Sequence, residues 1–137
     1  MLLSQNIEVL IILIPCLVFS LCLHEFSHAL SAYMLGDKTA YYKGRLTLNP
    51  LVHLDLLGSL MLLFAGFGYA KPVPVNINNL RNPKRDMKIV AFAGPLSNIF
   101  LAFISAVVIR FLLLFKLTNI FAIMIMPLYL LMAINVL

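Results

Sequence analysis

The sequence predicts an all-α polytopic membrane protein, with about three spanning helices, one short re-entrant segment and small β-hairpin or edge-strand elements. Three observations carry that prediction. Hydrophobic residues make up 63% of the 137 and charged residues only 11%, at a mean hydropathy of +1.03; a soluble domain sits nearer half apolar and a quarter charged. A core this small cannot hide the excess, so lipid must solvate much of it. The apolar residues also fall into runs long enough to cross a bilayer, and all ten Lys and Arg lie at or after Lys38. The net charge of +5 therefore sits chiefly in intervening loops, without a basic stripe interleaved with aromatics, which excludes nucleic acid as a partner.

The first run, Ile7 to about Leu35, is nearly continuous and is interrupted chiefly by the polar cluster His24, Glu25, Ser27 and His28. At a rise of about 1.5 Å per residue it spans a bilayer. Gly36-Asp37 ends it, with glycine just past the helix. It lacks a basic leader and a small-residue cleavage site, so it reads as a retained helix and not a signal peptide. Cys16 and Cys22 within it point in different directions and act as small apolar side chains. Asp37 to Asp55 is polar, and the Lys43-Gly44 turn between Tyr and Thr/Leu residues predicts a short hairpin.

Leu56 to Phe67 is too short to cross about 30 Å of hydrocarbon and reads as re-entrant. Gly68 to Asn76 follows as an extended stretch in which Pro72 and Pro74 exclude helix. It serves either as an edge for strand addition by a substrate or as a proline-stiffened loop. Met87 to Phe115 spans again, and Ile120 to Leu137 forms a last apolar run. A re-entrant Leu56–Phe67 puts two basic loops on one side, one holding Lys38, Lys43 and Arg45, the other Lys71, Arg81, Lys84, Arg85 and Lys88. By the positive-inside rule that side is the cytoplasm, leaving only Arg110 and Lys116 near the far side. Residues 1–137 form one membrane-embedded domain.

Chemistry concentrates in His24-Glu25-Phe26-Ser27-His28. Histidines at i and i+4 share one helix face and can reach one metal ion. Glu25 is placed to accept a proton from water activated by that metal and to pass it to a leaving amine. Three ionisable groups within five residues of a membrane helix cost about 2–3 kcal/mol each if unpaired, and metal binding offsets that cost. A catalytic zinc site needs a third protein ligand. Glu8, Asp37, Asp55 and Asp86 are the acidic candidates; Asp55, with His53 two residues before it, is the nearest, although both suit local loop pairing.

The segments HEFSHALSAYMLGDKTAYYKGRLTLNPLVHLD, GYAKPVPVN and LRNPKRDMKIVAFAGPLSN resemble the site-2 protease family of intramembrane zinc metalloproteases. The resemblance extends from about Leu23 to Asn98, over half the chain, and marks a compact prokaryotic member. It implies that His24 and His28 bind Zn2+ and that Glu25 is the base. It further implies peptide-bond hydrolysis in or near the transmembrane segments of membrane-protein substrates, in the cytoplasmic (inner) membrane, with the active site toward the cytoplasmic side. Leu56 stands where the family pattern has proline. The family's third ligand is the aspartate of a Leu-Asp-Gly motif, and Ala133 to Leu137 resembles the run before it. That aspartate is expected beyond Leu137, with the chain incomplete at its C-terminus. Asn98, Asn135 and His53 are candidate substrate or oxyanion supports. Two alternatives compete: an inactive site-2-protease-like interaction module, against which the intact Glu25 argues, and a metal transporter, which would need more ionisable residues deep in several helices.

Overall fold

The computed structural model describes residues 7–65, 69–115 and 118–136, with side chains described throughout these except at 63 and 118–123. Three long helices form its frame. Helix α1 covers Ile7–Met34, α5 covers Pro83–Leu114 and α6 covers Thr118–Val136; each packs against the other two. Between α1 and α5 lie two single-turn helices, α2 (Thr39–Tyr42) and α3 (Pro50–His53), then the ten-residue α4 (Leu56–Ala65) and a 3-10 turn at Ile77–Asn79.

Two helices, α1 with 28 residues and α5 with 32, are long and apolar enough to cross a membrane. Only 22% of the most apolar window of each is buried. Phe92, Phe100, Phe103 and Phe111 on α5 and Ile7, Ile11 and Phe19 on α1 are exposed, an arrangement that suits a lipid surround better than water. The run expected as a third span falls on α6, which among the described residues is a shorter apolar helix over Met124–Val136 and does not by itself make a third span.

Helix α1 ends as its sequence dictates. Gly36 adopts φ +114°, and the Asp37 N–H turns back to the Ala32 carbonyl at 2.9 Å, the left-handed closure that glycine permits. The next side chain holds the connecting segments together. Asp37 is fully buried and accepts hydrogen bonds from the Thr39 N–H (3.0 Å) and hydroxyl, the Asn76 N–H (2.7 Å) and the Asn79 amide (3.0 Å). Burial alone would raise its pKa; these donors outweigh that and hold the carboxyl below its usual range. The Arg81 N–H donates to the Leu35 carbonyl at 3.2 Å. The two basic loops thus meet at one end of the α1–α5 pair, as the charge pattern requires.

Helix α4 rises about 15 Å, half the hydrocarbon thickness. The Lys71 N–H donates to the His53 carbonyl at 2.9 Å, so the chain leaves and returns at the same level. Two local expectations need correction. The hairpin around Lys43-Gly44 is absent: Thr39–Tyr42 form a helical turn, because Asp37 caps the Thr39 N–H and starts a helix instead of a strand. Residues 69–76 are neither helix nor strand; Pro72 and Pro74 remove two ladder donors, and no strand occurs among the described residues to pair with them. Gly66, Phe67, Gly68 and Lys116 lie outside the described residues.

Candidate metal centre

His24 and His28 lie one turn apart on α1, ring centroids 4.7 Å apart and edge to face at 78°. The Nδ1 of His28 is 2.7 Å from the Val90 carbonyl oxygen on α5. A carbonyl only accepts, so Nδ1 carries the proton and Nε2 keeps a free lone pair. A main-chain oxygen thus fixes the tautomer in which the outer nitrogen can ligate.

Both Nε2 atoms converge beside Gly94 of α5. A methyl group there would sit 2.4 Å from His28 Nε2 and 2.5 Å from His24 Nε2, so the missing side chain keeps that space open. The next residue, Pro95, cannot donate within the helix, which loosens α5 at this turn. A small open cradle lined by two imidazole nitrogens is the donor set that suits a borderline-soft divalent cation such as zinc.

Glu25 points to the other chain segment that covers the site. Its Oε2 accepts the Val73 N–H at 3.3 Å. Pro72 and Pro74 have no N–H, so Val73 is the sole main-chain donor of that triplet. Two clefts flank this contact. One, of about 360 Å³, is lined by His24, Glu25, Pro72, Asn98 and Asn135 among others; a second, of about 230 Å³, by Glu25, His28, Val73, Met87 and Ala91 among others.

The remaining candidates divide. Asn98 lies beside His24 in the larger cleft, its amide oxygen buried and without a hydrogen-bond partner among the described residues. Asn135 reaches the same cleft from α6; its amide donates to the Ser20 hydroxyl (2.8 Å) and the Leu131 carbonyl (2.7 Å), while its oxygen is buried and unpaired among those residues. His53 is not brought to the centre: fully buried, it donates from Nε2 to the Thr47 carbonyl at 2.7 Å, closing its own loop.

Asp55 is committed to α4, accepting the Gly58 N–H at 2.9 Å in the manner of a helix cap. Asp86 accepts the Asn82 N–H at 2.8 Å and pairs with Arg85 at 2.9 Å. Asp37 is occupied as described, and Glu8 is exposed in the first turn of α1. Among the described residues no group of three His, Cys, Asp or Glu could hold a metal ion. Cys16 and Cys22 are buried free thiols. The sequence reading did not foresee the parts played by Val73, Val90 and Gly94. Two act through main-chain atoms that any residue type carries, and the glycine acts through a side chain it lacks.

The chain is similar to several curated proteins. It is 49% identical over 92 residues to "Putative zinc metalloprotease YwhC" of Bacillus subtilis, covering 67% of this chain and 42% of that protein. It is 36% identical over 101 residues to "Putative zinc metalloprotease Rip2" of Mycolicibacterium smegmatis, covering 70% and 39% respectively. It is 35% identical over 98 residues to the protein of the same name in Mycobacterium tuberculosis, covering 69% and 38%. The chain thus spans about two fifths of the length of the curated relatives it matches. No family model and no solved structure matches it.

Proposed function

We propose that the chain belongs to the site-2 protease family and is the core of an intramembrane zinc metalloendopeptidase. The observation that carries this reading is the convergence of His24 and His28 Nε2 beside Gly94, with Glu25 adjacent, on a helix of membrane-spanning length. Similarity over two thirds of the chain to proteins named zinc metalloproteases supports it independently. In this reading α1, α5 and α6 all span, α4 is re-entrant, and the basic loops place the histidine pair toward the cytoplasmic side of a prokaryotic inner membrane. The substrate is the transmembrane helix of another protein.

His24 and His28 are two metal ligands of this reading, and a catalytic zinc site takes a third protein ligand besides. Zinc held there would polarise the scissile carbonyl and lower the pKa of water toward 7. Glu25 accepts a proton from the attacking water as its oxygen bonds to the carbonyl carbon. As the carbon–nitrogen bond breaks, Glu25 passes that proton to the departing amine. The Val73 N–H holds Oε2 of Glu25 and leaves Oε1 for the reaction. The Val90 carbonyl keeps the proton on Nδ1 of His28 and so leaves the lone pair of Nε2 free to ligate. Asn98 is the polar group closest to hand in the larger cleft for a developing oxyanion, whereas both N–H groups of the Asn135 amide are given to Ser20 and Leu131.

The test is zinc stoichiometry and cleavage of a designed transmembrane substrate by the full-length protein. Wild type binds one zinc and cleaves. Glu25→Gln keeps the zinc and loses about 10³-fold in rate, within the range for a positioned general base. His24→Ala with His28→Ala loses both. Retention of zinc by the double histidine variant, or full cleavage by Glu25→Gln, would overturn the reading.

A further inference from the structure

One stripe of α5 carries a second feature. Residues Lys84, Met87, Lys88, Ala91, Gly94 and Asn98 recur at three- and four-residue intervals and so share a face. At its outer end a groove of about 500 Å³ is lined by Ile77, Pro83, Lys84, Met87, Lys88 and Ala91. Met87 and Ala91 also line the cleft that holds Glu25 and His28, so the groove adjoins the candidate centre across shared walls. Its floor is apolar and its rim is cationic. Lys84 and Lys88 are exposed, one turn apart, and have no ion-pair partner among the described residues; the neighbouring Asp86 is buried and engaged with Arg85.

We propose that this groove is a specificity subsite, in which Lys84 and Lys88 hold an acidic side chain of the substrate on the cytoplasmic flank of its scissile bond. The proposal rests on the protease reading above. Lys88 lies about 9 Å and Lys84 about 15 Å along α5 from Gly94. An extended peptide covers those distances in about three to five residues, which sets the position of the acid. Such a preference discriminates, because cytoplasmic flanks of membrane helices ordinarily carry Lys and Arg. Contact with Met87 and Ala91 adds a preference for apolar residues between the acid and the cleavage point.

The experiment scans one Asp through the ten residues on the cytoplasmic side of the scissile bond of a designed transmembrane substrate, each compared with Asn. Cleavage by the full-length zinc-loaded protein in detergent is measured as kcat/KM. Binding of the same series to its Glu25→Gln variant is measured separately. The expected result is a preference for Asp over Asn of about three- to tenfold, confined to the third to fifth positions, in both readouts. In Lys84→Gln/Lys88→Gln the Asp:Asn ratio falls to about one, and in Lys84→Glu/Lys88→Glu a Lys at those positions is favoured instead. A preference that is absent, spread over all positions or unchanged in the variants overturns the subsite. So does an effect of the variants that follows phosphatidylglycerol content in vesicles but not the Asp:Asn ratio, which assigns the groove to a lipid headgroup. If nothing is cleaved yet the positional binding preference persists, the protease reading fails and the groove still recognises acidic segments.

Discussion

Gly94→Ala is the smallest change that interrogates the whole centre. The added methyl would lie 2.4 Å from His28 Nε2, 2.5 Å from His24 Nε2 and 2.7 Å from His24 Cε1, where an ordinary contact is about 3.5 Å. Both rings must therefore retreat by about 1 Å at once. His28 cannot swing aside without giving up its hydrogen bond to Val90, about 0.5–1.5 kcal/mol. Losing one supporting partner of a metal ligand typically weakens affinity 10- to 100-fold. Displacing two ligands together should reach at least the upper figure, about 2.7 kcal/mol. Helix propensity acts in the opposite direction, since alanine inside a helix is favoured over glycine by about 1 kcal/mol. The assay is competitive zinc titration of the full-length protein against a chelator of known affinity, with thermal unfolding of the metal-free protein alongside. The expected outcome is zinc affinity down by about 100-fold with metal-free stability held or raised. Zinc affinity within about threefold of wild type would refute the reasoning, because the nitrogens then do not meet where the glycine is.

Other outcomes follow from the same contacts. Asp37→Asn turns an acceptor into a donor facing N–H groups and should cost about 2 kcal/mol at pH 7, read by thermal unfolding in detergent. The Asp37 pKa is depressed in the fold, so its contribution is complete above its unfolded value of about 4 and fades as pH falls below it; the difference between wild type and Asp37→Asn should shrink there. Asp55→Ala should leave zinc stoichiometry untouched and cost about 1 kcal/mol as a lost helix cap, whereas loss of zinc would make Asp55 a ligand after all. Asn135→Ala should weaken the α1–α6 contact by about 0.6–1.7 kcal/mol, measured by unfolding in mixed micelles, and Ser20→Ala should add little on top because the two share one bond.

Long apolar periods survive translation into structure because lipid solvates every side of a helix. The boundaries of α1, the end of α5 and the shortness of α4 were accordingly legible in the chain, whereas α5 begins at Pro83, four residues before the apolar run at Met87. The pairing of His24 with His28 was legible for the same reason, since both lie within one helix and need only its pitch. What escaped was everything that depends on α5 facing α1. The Val90 carbonyl and the Val73 N–H belong to the main chain, so no side chain announces them. The Lys43-Gly44 hairpin failed because a nearby Asp37 supplied a stronger local signal, a buried carboxylate that captures the Thr39 N–H and hydroxyl. His53 illustrates the opposite error: two polar residues near a re-entrant segment suggested chemistry, and the fold spends them on a loop closure and a helix cap.

The bond from His28 to Val90 joins residues 62 apart in the chain, and that separation has a consequence for biosynthesis. In the proposed membrane setting, α1 enters the bilayer before the carbonyl that selects the histidine tautomer has been made. At ribosomal speeds of about 5–20 residues per second, it follows about 3–12 s later. Until then the pair of imidazoles is free to exchange protons between its nitrogens and lacks the wall at Gly94. If the chain holds zinc as proposed, metal loading is therefore an event of the assembled helix pair, not of the nascent chain. A ribosome arrested before α5 should display a chain that is inserted, helical and unable to hold its ion.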